Sequence, residues 1–349
     1  MKNSNKHHRH IYWFSFYNLD SISGRYRGKY VLEYLNKYYN VTYNFVFPSY
    51  KLYLFFTFIK TFLAALFHLD KKSIIVIQKV CTNNSYAKSL KLLNKIRPSK
   101  IIYDIDDAEW TRYDPKNLNY FIENSHGCFV GSDVVYDYCK KRNSNVTLIT
   151  SPIIDHHIYK TKKNLQFTIG WIGDYSDHKD SLKANFFQAI YNINFSMKVV
   201  LLGIKNQEEK NSIITFFENK ENIQLEIPLI LNWKNEKEIY TLISCFDVGI
   251  STLSNSEFDK GKSAFKLKQY LSCGVPVLSS NLGENSKFVN HGINGYLCEN
   301  STDFYKYIIH LKNLNNADYD LMCDNCKLNN DVFSMKTYCE LFMLKSNFQ

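Results

Sequence analysis

The densest chemistry in this sequence lies between Asp247 and Leu297. An apolar run, Val248–Ser251, delivers a polar loop, and Gly261-Lys262-Ser263 then opens a stretch with helical spacing. Ser263 is of a type favoured as helix N-cap, and Gly261 lets backbone come close to a ligand. The N–H groups of a helix start, with the helix dipole behind them, attract an anion. Lys266 stands about one turn inside that helix. Helical side chains lean back toward the N-terminus, so its ammonium reaches the same anion. Gln269 follows on the same face with a donor and an acceptor. Gly274 ends the helix and Pro276 cannot extend it. By themselves these residues describe a phosphate-type pocket; an ordinary capped helix with solvated lysines fits them equally.

A second constellation is Lys100–Trp110, KIIYDIDDAEW. An apolar strand sets Asp104, Asp106 and Asp107 at its carboxyl end, where sites of open α/β sheets are built. Such carboxylates orient or deprotonate a hydroxyl. An acidic surface loop is the plainer alternative.

The elements that must position these groups alternate along the chain. Strands are expected at Ile11–Tyr17, Val41–Phe47, Ser73–Ile77, Lys100–Ile105, Gly127–Gly131 and Asn145–Ile149. Helices are expected at Tyr30–Tyr38, Tyr86–Ile96 and Val134–Lys141, with Asn18–Arg27 as a polar loop. Pro152 to Leu165 reads as a polar linker. The alternation restarts with strands at Phe167–Ile172, Lys198–Leu202, Ile223–Leu225, Val248–Ser251 and Val275–Ser279, and helices at Leu182–Ile190, Asn211–Glu218, Glu236–Ser244 and Ala264–Cys273. Two alternating halves predict two Rossmann-like domains with parallel sheets, facing each other across a ligand cleft. The expected division is 1–155, 156–330 and a C-terminal helix over 331–349 that packs back on the first domain.

The run GKSAFKLKQYLSCGVPVLSSNLGENSKFVNHGINGYL resembles the donor-binding signature of family-4 glycosyltransferases of the GT-B fold (glycosyl transferases group 1). Their pattern is K-x-x-[EQ]-Y-x-x-x-G-x-P-V, a Gly-containing loop, then x-x-G-x-N-G. Lys266, Gln269, Tyr270, Gly274, Pro276, Val277, Gly283, Gly292, Asn294 and Gly295 match it. The resemblance implies that Gly261, Lys262, Ser263, Ala264, Phe265 and Lys266 surround a nucleotide diphosphate, with Gln269 near the ribose. Gly261 and Gln269 stand where many members have the two carboxylates of an E-x7-E pattern, and Lys287 replaces a frequent Glu; these departures leave base and sugar open. Ile169–Gly173 is similar to the strand and glycine turn that open the donor domain, which puts Gly173 and Lys179 near the phosphates. Ser23–Arg27 is similar to an S-x-R-x-R element, which implies that Arg25 and Arg27 take an acceptor phosphate or the donor diphosphate. Asp106 and Asp107 then face the donor sugar as catalytic candidates with Lys266. A strand ending in Asp-Ile-Asp also resembles the metal site of GT-A glycosyltransferases, but a GT-A domain leaves the second alternating half unexplained. The family implies a retaining, metal-independent reaction, with no cofactor beyond the nucleotide-sugar substrate. A 2-epimerase of nucleotide sugars on the same fold and a catalytically inactive sugar-nucleotide-binding subunit are the alternatives.

Composition sets the wider bounds. The chain has 349 residues, 45% of them hydrophobic and 22% charged, enough for two buried cores and unlike a disordered chain. The net charge is +10. Residues 1–100 hold 17 Lys/Arg and 3 Asp/Glu, and residues 101–349 hold 26 and 30, so the excess is confined to the first hundred. That asymmetry calls for an anionic partner. No nucleic-acid motif is present, which favours a membrane surface; a glycan or lipid-linked acceptor is what the resemblance implies. The apolar segment Leu52–Leu69 is interrupted by Lys60 and His68, which counts against a spanning helix; core packing is placed just ahead of a membrane-lying helix. Nine scattered cysteines and no secretory signal suggest reduced thiols in the cytoplasm. Cys323-x-x-Cys326 lacks a second pair, and His7, His8 and His10 read as a tail. The expectation is a cytoplasmic enzyme, peripheral on the inner face of the plasma membrane.

Overall fold

The structure, a computed structural model, describes residues 9–67, 73–82, 84–328 and 330–346. His7, His8, His68, Leu69, Lys71 and Lys72 lie outside them. The chain divides into two compact units. The first takes Met1–Pro152, Gly261–Ser263 and Phe333–Gln349; the second takes Ile153–Lys260 and Ala264–Val332.

In the first unit the order is β1 (Arg9–Ser15), α1 (Tyr30–Tyr39), β2 (Val41–Val46), α2 (Leu52–Phe67), β3 (Ile74–Gln78), α3 (Ser85–Ile96), β4 (Ile101–Ile105), α4 (Pro115–Asn124), β5 (Gly127–Val130), α5 (Asp133–Lys140) and β6 (Val146–Leu148). The six strands form a parallel sheet in the order β2-β1-β3-β4-β5-β6. Strands β3, β4 and β5 are buried along their whole length, which is why they read as continuous apolar runs rather than alternating ones. Short polar residues start the helices: Asn84 caps Ala87 N–H, Asp114 caps Lys116 with Pro115 at the first helical position, and Ser132 caps Val135. The C-terminal helix Met335–Lys345 belongs to this unit. Its Phe342 stacks 6.0 Å from Trp13, and Ser346 just beyond it accepts a bond from Arg9 at 2.9 Å.

The expected loop Asn18–Arg27 is instead largely helical. Ser23–Lys29 is a wide helical turn continuous with α1 and buries Gly24 through Gly28. Its glycines are steric necessities: a Cβ at Gly24 would stand 2.4 Å from the Asn18 carbonyl oxygen, and one at Gly28 would stand 2.8 Å from the Phe45 ring. Helix α2 also departs from expectation. One face packs on the core as expected, through buried Thr61 and Ala65 and partly buried Phe58, Phe62 and Leu66, but Leu52, Phe56, Leu63 and Phe67 stay exposed, which core packing does not account for.

In the second unit the order is β7 (Thr168–Ile172), α6 (Tyr175–Ser181), α7 (Gln188–Tyr191), β8 (Met197–Leu202), α8 (Gln207–Phe216), β9 (Ile223–Glu226), α9 (Glu236–Ser244), β10 (Val248–Ser251), α10 (Glu257–Lys260), α11 (Phe265–Ser272), β11 (Val277–Ser280), α12 (Asn285–Phe288), β12 (Gly295–Cys298), α13 (Ser301–Asn313) and α14 (Asn316–Lys327). Its parallel sheet runs β12-β11-β10-β7-β8-β9. The strand order reverses between β7 and β10, and between β1 and β3 in the first unit. Neighbouring loops diverge at such points and leave a crevice at the carboxyl ends of the strands. The linker region packs on this unit: Lys160 is 5% exposed, pairs with Asp247 at 3.0 Å, and donates its backbone N–H to Cys273.

Candidate active site

The site residues of the first unit lie at or just beyond the carboxyl ends of β1, β3 and β4. Lys79, directly after β3, is buried and has φ +52, a conformation uncommon for a residue with a Cβ. Its backbone N–H is held by the Asp104 carbonyl at 2.9 Å. Its ammonium lies 2.9 Å from Asp106, 2.5 Å from Asp107 and 2.8 Å from Glu109. Ser23 donates to Asp106 Oδ2 at 2.7 Å. One layer deeper, Arg27 Nη2 donates to Asp104 Oδ2 at 2.7 Å and Nε to Oδ1 at 3.2 Å, while Nη1 donates to the Ile149 carbonyl at 2.6 Å. Gln78 bridges this layer, donating to the Ser23 carbonyl at 3.1 Å and accepting from Trp13 Nε1 at 3.1 Å.

Two cations thus face four carboxylates, and the balance divides the carboxylates. Burial would raise Asp106, but Lys79, Arg27 and the Ser23 hydroxyl outweigh it and hold Asp106 below its ordinary value. Burial pushes Asp107 up to about 6; Lys79 pulls it down, while Asp106 and Glu109 push it further up. Asp107 keeps 24% of its side chain exposed, against 7% for Asp106. It is the more accessible carboxylate, poised to exchange a proton near neutral pH.

Arg27 requires a correction. It is fully buried and its guanidinium is engaged by Asp104 and the Ile149 carbonyl, so it is a structural cation rather than a ligand for a phosphate. Arg25 is 7% exposed and donates to the carbonyls of Leu19 and Asp20, both at 3.0 Å, ordering its own loop.

In the second unit the expected phosphate corner gathers around Lys266. Its Nζ lies 2.8 Å from His178 Nε2 and 5.6 Å from the centre of the Trp171 ring. Trp171 is the penultimate residue of β7 and Gly173 makes the following turn; a Cβ there would meet Trp171 at 3.0 Å and the Lys266 stem at 3.4 Å. Gly203, after β8, has φ +117, and a Cβ on it would lie 1.7 Å from the Gly173 carbonyl oxygen. The two glycines let adjacent strand ends close up so that the Lys266 stem passes over the turn. Lys179 is exposed, whereas His178 on the same helical turn is 6% exposed and faces Lys266. The side chain that meets Lys266 is thus the histidine preceding Lys179, which sequence reasoning did not single out.

The start of α11 also differs. Ser263 is not its N-cap; that position is Ala264, at φ +53 and ψ +34, with no side-chain cap bond. A left-handed alanine costs about 1–2 kcal/mol, and strain of this kind is concentrated where a backbone must present groups to a ligand. Gly261–Ser263 sort with the first unit and Ala264 with the second. Ser263 and Gln269 are buried, while Lys262 and Phe265 are half-buried.

Other motif positions prove to be scaffolding. Tyr270 OH accepts from Ile172 N–H at 2.9 Å and donates to the Ile250 carbonyl at 3.1 Å, stapling the ends of β7 and β10. Gly249 makes room for that ring, since a Cβ would stand 2.5 Å from it. Asn294 closes the turn before β12, accepting from Asn290 N–H at 2.8 Å and donating to the Phe288 carbonyl at 3.0 Å. Lys287 pairs with buried Glu284 at 3.0 Å.

Lys79, Glu109 and His178 are the residues that sequence reasoning missed. Lys79 had one signal, a Gln-Lys pair closing an all-apolar strand. His178 had only its place in the loop after the glycine turn, and nothing in its spacing separates it from Lys179.

Two units of this kind, each a six-stranded parallel sheet with its polar residues at the carboxyl ends, define a GT-B protein. Residues 166–313 match the family model described as Glycosyl transferases group 1, and over that segment the chain is similar to this family. No curated protein matches the chain in sequence. Among solved structures, it is similar to Anabaena HepE in complex with UDP and glucose, at TM-score 0.64 and 13% identity over 96% of this chain and 98% of that one. A glycosyltransferase from Rickettsia africae gives TM-score 0.65 and 12% identity over 97% and 98%. Sucrose-phosphate synthase from Thermosynechococcus elongatus gives TM-score 0.70 and 11% identity over 96% and 98%.

Proposed function

We propose that the protein transfers a sugar from a nucleoside diphosphate sugar to a glycan or lipid-linked acceptor, with retention and without a metal, in surface polysaccharide assembly at the inner face of the plasma membrane. The observation that carries this reading is the Lys266–His178 pair at the glycine turn after β7, beside the start of α11. Lys266 and the N–H groups of α11 neutralise the leaving diphosphate where a metal would otherwise serve. Gly173, Gly261, Lys262, Ser263, Ala264 and Phe265 shape the donor corner, and the Gln269 amide replaces a carboxylate at the ribose. Departure of the diphosphate leaves an oxocarbenium-like carbon, and the diphosphate takes the acceptor proton on the same face. Asp106 and Asp107 orient the acceptor hydroxyl. Crystals of Anabaena HepE with UDP and with UDP-glucose make a uridine diphosphate sugar the first donor to try. No described helix is long and apolar enough to cross a membrane; the basic first hundred residues support attachment to an anionic surface instead.

The test is a thermal-shift panel of nucleoside diphosphates and nucleotide sugars, followed by transfer assays with the donor that binds. A ligand at about 100 times its Kd raises stability by roughly 2.7 kcal/mol. Donor consumption abolished by Lys266→Ala supports the reading. Turnover to an isomeric nucleotide sugar without acceptor would mean an epimerase, and binding without any turnover an inactive subunit.

A further inference from the structure

Helix α2 is apolar on two faces, only one of which the core covers. One face packs on the core through Thr61 at 2% and Ala65 at 0% exposure with Phe58, Phe62 and Leu66 partly buried beside them, while on the other face Leu52 is 69%, Phe56 61%, Leu63 45% and Phe67 67% exposed. These four stand at spacings of four, seven and four, which on an α-helix draws a single stripe. Tyr53 flanks it at 64% exposure. A folded chain does not leave such a stripe in water without a use, because a contiguous apolar patch of this kind costs solubility and marks an interaction surface.

Charge identifies the occupant. Between Glu33 and Asp70 the sequence has no carboxylate, and its charged residues are Lys37, Lys51 and Lys60. Lys51 precedes the helix and Lys60 lies on it, both exposed. A protein partner docking on an apolar helix needs no absence of acid over so long a stretch; an anionic bilayer does, since every carboxylate near its surface is repelled. Aromatic and aliphatic side chains on one face with lysines at its margin are the arrangement of a helix lying in the plane of a membrane interface.

We infer that α2 is an in-plane anchor that inserts Leu52, Phe56, Leu63 and Phe67 among the acyl chains of an anionic phospholipid surface, with Lys51 and Lys60 at the headgroups. The inference rests on the membrane part of the reading above and not on its transferase part.

Flotation of the full chain with phosphatidylcholine vesicles, with and without phosphatidylglycerol, tests it, with donor thermal shift as the control for folding. The wild type is expected to float with the anionic vesicles and at least tenfold less with neutral ones. The double variant F56S/L63S is expected to lose at least tenfold of that binding while its donor shift is unchanged, and K51E/K60E to lose binding in the same way. Sedimentation velocity of the free protein gives a monomer. Undiminished flotation of F56S/L63S overturns the anchor while leaving surface attachment by charge intact. No flotation of the wild type overturns both. A dimer dissociated by F56S/L63S assigns the stripe to a second copy and overturns the inference.

Discussion

Lys79 is the most exacting test of the first unit's site. Replacing it with Met keeps most of its bulk and removes the one ammonium shared by Asp106, Asp107 and Glu109. With an effective dielectric of about 20, a pair near 2.8 Å has a gross attraction of roughly 6 kcal/mol. Desolvation of four buried charges offsets most of the sum, so the measurable loss is that of leaving carboxylates uncompensated, about 3–5 kcal/mol. At about 2–4 °C per kcal/mol for a unit of this size, the Lys79→Met melting temperature falls by roughly 6–20 °C at neutral pH. The pH dependence has a definite sign. Without the pull of Lys79 the folded-state values of Asp106 and Asp107 rise above their unfolded values. Such groups favour the folded state below the unfolded value and lose that contribution as pH rises through the folded one. The deficit against wild type must therefore shrink on acidification from about pH 7.5 to about pH 4.5. Differential scanning calorimetry at both pH values measures it. A loss below about 1 kcal/mol, or one equal at both pH values, refutes the account of Lys79 as the shared counter-ion.

Other expectations follow from the same geometry. The acid limb of the transfer rate should have a midpoint near 6, the value to which burial pushes Asp107; Asp107→Asn should lower the rate at least tenfold and abolish that limb, and a limb retained in the variant assigns it elsewhere. Lys266→Ala should weaken nucleoside diphosphate binding by about 1.5–3 kcal/mol, the worth of a hydrogen bond to a charged group, read by calorimetric titration. His178→Gln, which keeps a polar partner for Lys266, should cost less than His178→Leu; equal losses would count against its positioning role. Gly203→Ala should destabilise the second unit by more than 2 kcal/mol, about the upper range of ordinary substitutions, because its methyl collides with the Gly173 carbonyl; an unchanged melting curve would contradict the close approach.

Much of the fold was legible because its strands are buried on both faces. Ser73–Ile77 and Lys100–Ile105 are apolar throughout, and no solvent-facing residue blurs the signal. Short elements were less legible: β12 is four residues long and α4 begins after a polar Asp-Pro, and local pattern alone does not separate these from loops. The run around Lys266 stood out through its fixed spacing, and the structure sets that side chain against His178 at the glycine turn after β7. The same spacing did not separate site candidates from scaffold, since Tyr270 and Asn294 match the pattern as strongly as Lys266 while serving a strand staple and a turn.

What the sequence determined by itself was therefore the periodic part: two alternating α/β halves, the basic first hundred residues, and the glycine-lysine run that opens α11. What only tertiary structure decided was which charged groups meet. Lys79 is 27 residues before Asp106 in the chain and 2.9 Å from it in space; Arg27 reaches Asp104, and Lys266 reaches His178. Which face of α2 turns outward was likewise undetermined, because a helix apolar on all sides has no periodicity to read. Local sequence sets backbone conformation through neighbours a few residues away, whereas ion pairs and helix orientation are set by chain segments brought together by burial of the core, and no spacing rule along the chain encodes that meeting.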